Sequence, residues 1–360
     1  MGAQARATHE RGTKARTARC AAAGIAIAVL CSRAASAQLS DASLARFLLD
    51  SVRLDSAQLA SAQAGHAVAK LLPTKVSRDV AVFGLIALHA TREAYMARVG
   101  DGQQDVVGQA RRFGIIGTPA TPADVQGVSV DESEYRDLRA CRVNDCKFKM
   151  PAAFMQVFAD SVDWASPAAH AAVDSITRAQ LLRLVAAYRA TGNAAMLRYD
   201  DTHGVEASDA FAAMLAQSPY LRACAPALLD YLVGYPANRP EGMRDVLYWS
   251  EERLPHLAPT LTLNHMAVFT TASGTPIVAR KQVYANHYYE SALEVLAVVD
   301  APALPGGPGI YLVSVRRYRF DNLPGGFFLN IRGRVRDTLM QRMVADLERE
   351  RAASQSVAGR

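Results

Sequence analysis

The chain has 360 residues, with 40 lysine and arginine side chains against 34 aspartate and glutamate side chains and a pI near 9.1. Six of the basic and one of the acidic side chains lie in the first 37 residues, which leaves 34 against 33 in the rest. Because a nucleic-acid-binding surface needs a clustered excess of positive charge, this near-neutral remainder argues against nucleic-acid binding.

The first 37 residues have the three zones of a secretory signal peptide. A basic segment over residues 1–19 precedes an uncharged, 12-residue apolar run over residues 20–31, and a small-x-small pattern ends at Ala37. These zones predict cleavage between Ala37 and Gln38, and therefore a periplasmic or secreted protein. A transmembrane anchor is the alternative, but it needs roughly 20 apolar residues. A lipidated Cys31 is disfavoured by the bulky Leu30 before it.

We expect residues 38–360 to form a single domain, in which no run approaches the length of a membrane span. Residues 40–71 are predicted to form two helices, and residues 79–89 a buried strand because both of its faces are apolar. Thr91 is predicted to cap a helix that extends to Val99.

The middle and the end of the chain differ in their predicted secondary structure. Residues 152–233 are predicted to be mostly helical, with an apolar stripe at Ile176, Leu181, Leu184, Val185 and Tyr188. Residues 247–360 are predicted to be a strand meander, with strands over 261–270, 277–299 and 311–320, and a final helix over 331–351. The fold class predicted is therefore α+β, with an antiparallel sheet packed against a long C-terminal helix and a large helical portion before the main strands.

The alternation of side chains along the strands separates two faces. His265, Lys281 and His287 fall on otherwise apolar faces, and we expect them to share one inner side beneath the C-terminal helix. The opposite face of residues 277–299, with Gln282 and Glu294, is predicted to be solvated. Three readings of the inner groups stay open: satisfied core side chains, a bulge that turns Lys281 outward, and the lining of a ligand pocket.

The cysteines of the mature chain are Cys141, Cys146 and Cys224. Asn144-Asp145 between the first two favours a tight turn, and a disulfide is the favoured interpretation in an oxidising compartment. Free thiols are the alternative, and a metal site is disfavoured because further ligands at a matching spacing are missing. Asp200-Asp201-Thr202-His203 is predicted to be a solvated turn rather than a metal or acid–base cluster.

Four segments resemble a group of exported bacterial proteins of uncharacterised activity. They are residues 141–147 (CRVNDCK), 247–250 (LYWS), 281–289 (KQVYANHYY) and 325–328 (GGFF). The element order also resembles START-like (helix-grip) lipid-binding folds, with Leu323-Pro324-Gly325 as the turn into the last helix. The second resemblance implies a ligand cavity between sheet and helices.

We therefore expect an exported protein that binds a small, largely apolar or amphiphilic molecule through His265, Lys281, His287 and Tyr289. One alternative is a periplasmic enzyme that uses His265 or His287 as acid and base, and another is a packed structural or interaction protein. The sequence contains no catalytic, cofactor or metal motif. Peripheral membrane contact through Phe327-Phe328 and the arginines after them is a further alternative.

Overall fold

An eight-stranded antiparallel sheet organises the chain, in the order β1-β2-β10-β9-β8-β7-β6-β3. The computed structural model describes residues 47–99, 112–252, 258–322 and 330–358. These residues belong to one compact unit that spans residues 39–360. The predicted cleavage site at Ala37 and Gln38, the Leu323-Pro324-Gly325 turn and Phe327-Phe328 lie outside the described residues.

The strands that form the sheet are β1 (Val68–Leu72), β2 (Asp79–Leu88), β3 (Arg112–Ile116), β6 (Arg244–Glu252), β7 (Thr260–Thr270), β8 (Pro276–Ala285), β9 (Tyr289–Ala301) and β10 (Gly309–Phe320). A separate two-stranded ribbon consists of β4 (Arg198–Tyr199) and β5 (Val205–Glu206).

The helices are α1 (Ser56–Gln63), α2 (Arg92–Val99), α3 (Glu132–Ala140), α4 (Ala152–Ser161), α5 (Ala169–Thr191), α6 (Ala207–Leu215), α7 (Pro219–Cys224), α8 (Pro226–Gly234) and α9 (Ile331–Ala358). A π-helical segment, Phe47–Val52, precedes α1, and short 3-10 segments lie at Pro122–Val125 and Gly192–Ala195.

Both faces of the sheet are covered by helices. On one face, α5, α6 and α8 pack over residues such as Leu263, Ala279 and Leu293; we call it the α5 face. On the other, α9 packs over residues such as Met266 and Val278; we call it the α9 face. The predicted fold class, an α+β protein with an antiparallel sheet, an earlier helical portion and a long C-terminal helix, is confirmed.

The C-terminal helix lies close to the sheet where β2 has a glycine. Leu339, Met343 and Leu347 of α9 are buried there, whereas Ile331 at its start is exposed. A Cβ atom placed on Gly84 would lie 2.5 Å from the Met343 sulfur and 2.9 Å from Leu347 Cδ1. The missing side chain at Gly84 is therefore what allows α9 to approach β2 so closely.

Several local predictions are confirmed by the structure. The apolar run at residues 79–89 is β2, buried along its whole length. Thr91 caps α2 because its hydroxyl oxygen accepts a hydrogen bond from the Ala94 amide at 3.1 Å. Leu181, Leu184, Val185 and Tyr188 form the buried stripe of α5.

The predicted strand over residues 277–299 is wrong, because the chain reverses at residues 286–288 and forms β8 and β9 instead. A bulge also leaves Val283 unpaired: Leu263 pairs with Tyr284, and Asn264 pairs with Gln282. One extra residue on a strand sends the residues after it to the opposite face. Ala285 therefore belongs to the α9 face rather than to the face of Lys281. Tyr289, on β9 beyond the reversal, also packs on the α9 face.

Two further predictions need correction. Val68 and Leu71 lie on strand β1 rather than on a second helix, because they pair with β2. The face with Gln282 and Glu294 is not solvated, since Gln282 is only 5% exposed and Glu294 is half-buried. Helix α9 covers that face, and ion pairs offset the cost of burying its charges.

Candidate functional site

The four predicted ligand residues do not come together in one place. His265 and Lys281 lie opposite each other on β7 and β8 and point into the α5 face. His287 lies in the turn between β8 and β9, and Tyr289 packs on the α9 face. The expectation that His265, Lys281 and His287 share one side beneath the C-terminal helix is therefore wrong.

The two residues that do meet belong to a buried chain of hydrogen bonds on the α5 face. The Tyr188 hydroxyl lies 3.0 Å from His265 Nδ1 and accepts a hydrogen bond from Lys281 Nζ at 3.0 Å. His265 Nε2 lies 3.2 Å from Asp245 Oδ2, and Lys281 Nζ also donates to Asn193 Oδ1. We call this chain the α5-face network.

Burial controls the protonation of this network. Lys281 is fully buried, and loss of hydration lowers its pKa to about 7. Burial likewise lowers the pKa of His265, although its hydrogen bond to Asp245 opposes that effect. For Asp245 itself burial raises the pKa, but hydrogen bonds from His265 and Tyr231 outweigh it and hold the pKa at about 2.

The α5-face network is complete without a ligand. Each of its polar side chains has a hydrogen-bond partner inside the protein, and the Lys281 ammonium also lies 4.4 Å from the centre of the Phe211 ring. Neither His265 nor Lys281 lines either of the two cavities described below. In this arrangement both side chains are satisfied core groups.

His287 belongs to a different cluster, which holds the segment around the disulfide. The structure joins Cys141 and Cys146 by a disulfide with a Cα–Cα distance of 4.4 Å. His287 Nδ1 lies 2.8 Å from the Lys147 carbonyl oxygen, and His287 Nε2 lies 3.2 Å from Glu134 Oε1. The other oxygen of Glu134, Oε2, accepts a hydrogen bond from the Asp131 amide and so completes the capping box of α3. The pair of His287 and Glu134 therefore lies at the start of a helix.

The sequence predicts a solvated turn at residues 200–203, but the structure shows that this loop is partly buried. Asp201 is buried and pairs with Lys149 Nζ at 3.4 Å, while Asp200 accepts a hydrogen bond from the Ala152 amide at 2.9 Å. The backbone amides of Asn144 and Cys146 donate to the carbonyl oxygens of Asp200 and Asp201. Backbone hydrogen bonds therefore join the disulfide loop to this loop, and both Asp200 and Asp201 have partners within the protein.

A small apolar cavity lies between the α5 face of the sheet and helices α3, α4 and α5. Its volume is about 50 Å³, and its walls are mostly apolar side chains such as Phe154, Phe158 and Leu184. Gln180 and Tyr284 also line it, and their side chains make no hydrogen bond to any described residue. Pockets for drug-sized ligands usually measure about 300–1,000 Å³, so this cavity does not admit a lipid-like molecule without movement of its walls.

A second cavity, of about 100 Å³, lies on the other side of the sheet beneath α9. We call it the polar cavity. Side chains that alternate along five neighbouring strands line its floor, and Leu339 and Arg342 of α9 form its roof. Its polar lining residues are Tyr248, Ser250, Glu252, Thr260, Thr262, Asn264, Arg280, Gln282, Tyr289, Glu294, Arg316, Tyr318 and Arg342.

The charged groups around the polar cavity are paired with one another. Glu294 accepts from Arg316 Nε at 2.9 Å and lies 3.3 Å from an Arg280 nitrogen. Arg316 also pairs with Asp346 of α9, and Arg342 lies 3.3 Å from Glu252. Burial raises the pKa of Glu252. Burial also acts to raise the pKa of Glu294, but Arg316 and Arg280 outweigh it and hold that pKa below its usual value.

Several uncharged groups around the polar cavity make no side-chain hydrogen bond within the part of the chain that the structure describes. Ser250, Thr262 and Asn264 bond to one another, with Asn264 Nδ2 donating to Thr262 Oγ1 at 2.8 Å. By contrast, the side-chain amide of Gln282 and the hydroxyl of Tyr289 make no hydrogen bond to any described residue, although these residues are 5% and 7% exposed. Thr260 and Tyr318 also make no side-chain hydrogen bond within the described ranges.

Of the four predicted ligand residues, Tyr289 alone lines this cavity, whereas Gln282 and Glu294, which also line it, are predicted from the sequence to face solvent. A signal for the cavity was nevertheless present. Thr262 and Asn264 flank Leu263, and Arg280 and Gln282 flank the buried Lys281, on strands that should be central in the sheet. Polar residues at every second position of a central strand indicate either a solvated face or a wet cavity, and the cover supplied by α9 decides between them.

Comparison with protein-family models, with curated proteins and with solved structures finds no match to this chain. Within the described residues, none of the helices is both long enough and apolar enough to cross a membrane. In the same part of the chain, no group of three or more His, Cys, Asp or Glu side chains is placed to hold a metal ion.

Proposed function

We propose that the chain is an exported protein that binds a small polar molecule in the polar cavity between the sheet and α9. The observation that carries this proposal is the convergence on one cavity of polar groups that make no side-chain hydrogen bond to any described residue: the Gln282 amide and the Tyr289 and Tyr318 hydroxyls. A molecule inside the cavity supplies partners to such groups, and each hydrogen bond gained is worth about 0.5–1.5 kcal/mol. Several such groups around one cavity therefore favour the binding of a ligand there.

The direct test is recovery of a bound small molecule. Protein purified without denaturant from the periplasm of its native source should release one polar compound, detected by mass spectrometry after extraction. Gln282→Leu and Tyr289→Phe should reduce the amount retained, because each removes one binding group. Tyr284→Phe is the matched control, since Tyr284 lines the apolar cavity instead. Equal retention by all three variants would contradict the proposal.

A second candidate is the binding of an apolar or amphiphilic molecule in the apolar cavity. The supporting observation is an apolar wall with two polar groups, from Gln180 and Tyr284, that make no side-chain hydrogen bond to any described residue; mostly apolar walls with a few polar groups are typical of small-molecule sites. Its volume of about 50 Å³ makes it the weaker candidate. If it operates, laurate should raise the melting temperature, and Gln180→Leu should reduce that rise while Gln282→Leu leaves it unchanged.

The enzyme alternative receives less support from the geometry. Both histidines have a carboxylate at 3.2 Å, but His265 is 1% and His287 5% exposed, and neither lines either cavity. A general base must reach the proton that it abstracts. In this conformation, therefore, neither histidine reaches a substrate in these cavities.

Export is part of the proposal, and its test is independent of the ligand. The signal-peptide pattern before Gln38 predicts that exported protein begins at that residue. Intact-mass measurement of periplasmic material should give a chain of residues 38–360. Full-length chain in that fraction, or lipid attached to Cys31, would reject the predicted processing.

A further inference from the structure

The charges around the polar cavity are balanced before any ligand binds. Each has a partner: Arg280, Arg316 and Arg342 pair with Glu252, Glu294 and Asp346, and Asp346 also pairs with Arg349. An anionic ligand would have to compete with a carboxylate for its arginine, and a cationic ligand would have to compete with an arginine for its carboxylate. Each exchange would remove one partner from a charged group in a partly buried ion-pair network, which is unfavourable.

The groups that remain available are uncharged and of mixed character. The Gln282 carboxamide offers two donors and one acceptor oxygen, and the Tyr289, Tyr318 and Thr260 hydroxyls can each donate and accept. A ligand hydroxyl also donates and accepts, so it can bond to any of these groups without a change of protonation.

Aromatic rings supply the apolar part of the same wall. The ring centres of Tyr289 and Tyr318 lie 5.7 Å apart. Phe320, which does not line the cavity, packs against Tyr289 with ring centres 5.0 Å apart. Such rings offer flat, apolar surfaces to the C–H groups of a ligand, beside the polar groups that bind its hydroxyls.

On these grounds, and on the premise that the polar cavity is a binding site, we propose that its ligand is an uncharged molecule with several hydroxyl groups. The cavity volume of about 100 Å³ limits its size. A molecule of liquid water takes up about 30 Å³, and a cavity of about 150 Å³ holds benzene. The part that enters is therefore about four carbons long: a small polyol, or the hydroxylated end of a sugar.

The test uses four probes of equal carbon number and different charge: erythritol, succinate, putrescine and 1-butanol. Saturation-transfer NMR with the purified mature chain, residues 38–360, should show transfer to erythritol and none to succinate or putrescine. Loss of one neutral hydrogen bond weakens binding about fivefold, so Gln282→Leu and Tyr289→Phe should each weaken erythritol binding by that factor. Tyr284→Phe should leave the signal unchanged, which controls for transfer at the apolar cavity.

The outcomes separate the ligand class from the binding site. Transfer to succinate or putrescine instead of erythritol, lost in Gln282→Leu, overturns the proposed class but keeps the cavity as a binding site. Transfer to none of the four probes, or transfer to erythritol that Gln282→Leu and Tyr289→Phe do not weaken, overturns both. Gln282→Glu provides a second variant of the same shape: the added charge should weaken erythritol binding and allow transfer to putrescine. The near-ultraviolet circular dichroism of each variant should match the parent, which verifies that it is folded.

Discussion

Both faces of the sheet bury polar residues, but the two faces differ in whether those residues have hydrogen-bond partners. On the α5 face, Lys281, His265 and Tyr188 are fully satisfied by each other, by Asp245 and by Asn193. On the α9 face, Gln282 and Tyr289 line a cavity and make no side-chain hydrogen bond to any described residue. A buried titratable group is therefore a poor guide to a site by itself, whereas unpaired groups around a shared cavity are a better one.

The largest expected effect comes from breaking the ion pairs of the α9 face. Arg316→Met removes the partner that Glu294 and Asp346 share between the sheet and α9. Because carboxylates are then left buried with less compensation, we expect a loss of about 3 kcal/mol in the free energy of unfolding. Urea denaturation measures it, and Arg334→Met on the exposed side of α9 should change stability by no more than about 0.5 kcal/mol. Equal effects of the two variants would show that the buried pairs contribute little.

The second effect tests the α5-face network through its pH dependence. The pKa of Lys281 is about 7 in the folded protein, below the value of an exposed lysine. Below pH 7, Lys281 is protonated in both the folded and the unfolded chain, and the folded chain bears the full cost of burying its charge. Above pH 7, Lys281 loses its proton in the folded chain but keeps it in the unfolded chain. The free energy of unfolding should therefore rise by about 2 kcal/mol between roughly pH 7 and pH 9.

Lys281→Met should remove this rise, while Lys75→Met, at an exposed position, should keep it. Chemical denaturation at several pH values provides the measurement. A rise that persists in Lys281→Met would mean that another group causes it.

A smaller effect tests the close approach of α9 to the sheet. Gly84→Ala places a methyl group against Met343 and Leu347, which are both buried. Overpacking of this kind costs about 1–3 kcal/mol, and we expect a value near the lower end because both neighbours meet it with the ends of flexible side chains. The double variant Gly84→Ala/Met343→Ala should lose less stability than the sum of its parts. Additive losses would indicate that the two residues are not in contact.

The smallest effect is expected outside both faces, at the disulfide. Cys141 and Cys146 enclose four residues, and so short a loop restricts the unfolded chain little. Replacement of both by serine should cost about 1 kcal/mol and no more than about 2 kcal/mol. Thermal unfolding with and without reductant measures this cost, and peptide mapping without reduction detects the bond in exported protein. Free thiols at both positions there would reject it.

Sequence patterns identified elements whose signal is local. The uninterrupted apolar run at residues 79–89 and the stripe ending at Tyr188 each specify their element without help from distant residues. The reversal at residues 286–288 was missed because its positive φ falls on Tyr288 rather than on glycine or asparagine. The bulge at Val283 then moved Ala285 to the α9 face, opposite to the face that alternation predicts.

The candidate site was harder to predict because its contacts are distant in sequence. Alternation correctly placed His265 and Lys281 on a buried face, but their partners Asp245 and Tyr188 come from another strand and from α5. Gln282 was assigned to water because nothing in its own strand indicates that α9 covers it. A polar strand face appears the same in sequence whether a helix covers it or solvent does.

Tyrosine NMR on one sample gives the most direct test that the polar cavity binds a ligand while the α5-face network does not. Protein labelled with ¹³C in its tyrosine rings, and assigned through single Tyr→Phe variants, should be titrated with the small-molecule extract of its native periplasm. We expect the signals of Tyr289 and Tyr318 to shift in a saturable way, while those of Tyr188 and Tyr231 stay in place. Shifts at Tyr188 and Tyr231, with Tyr289 and Tyr318 unchanged, would contradict the account and assign the site to the α5 face.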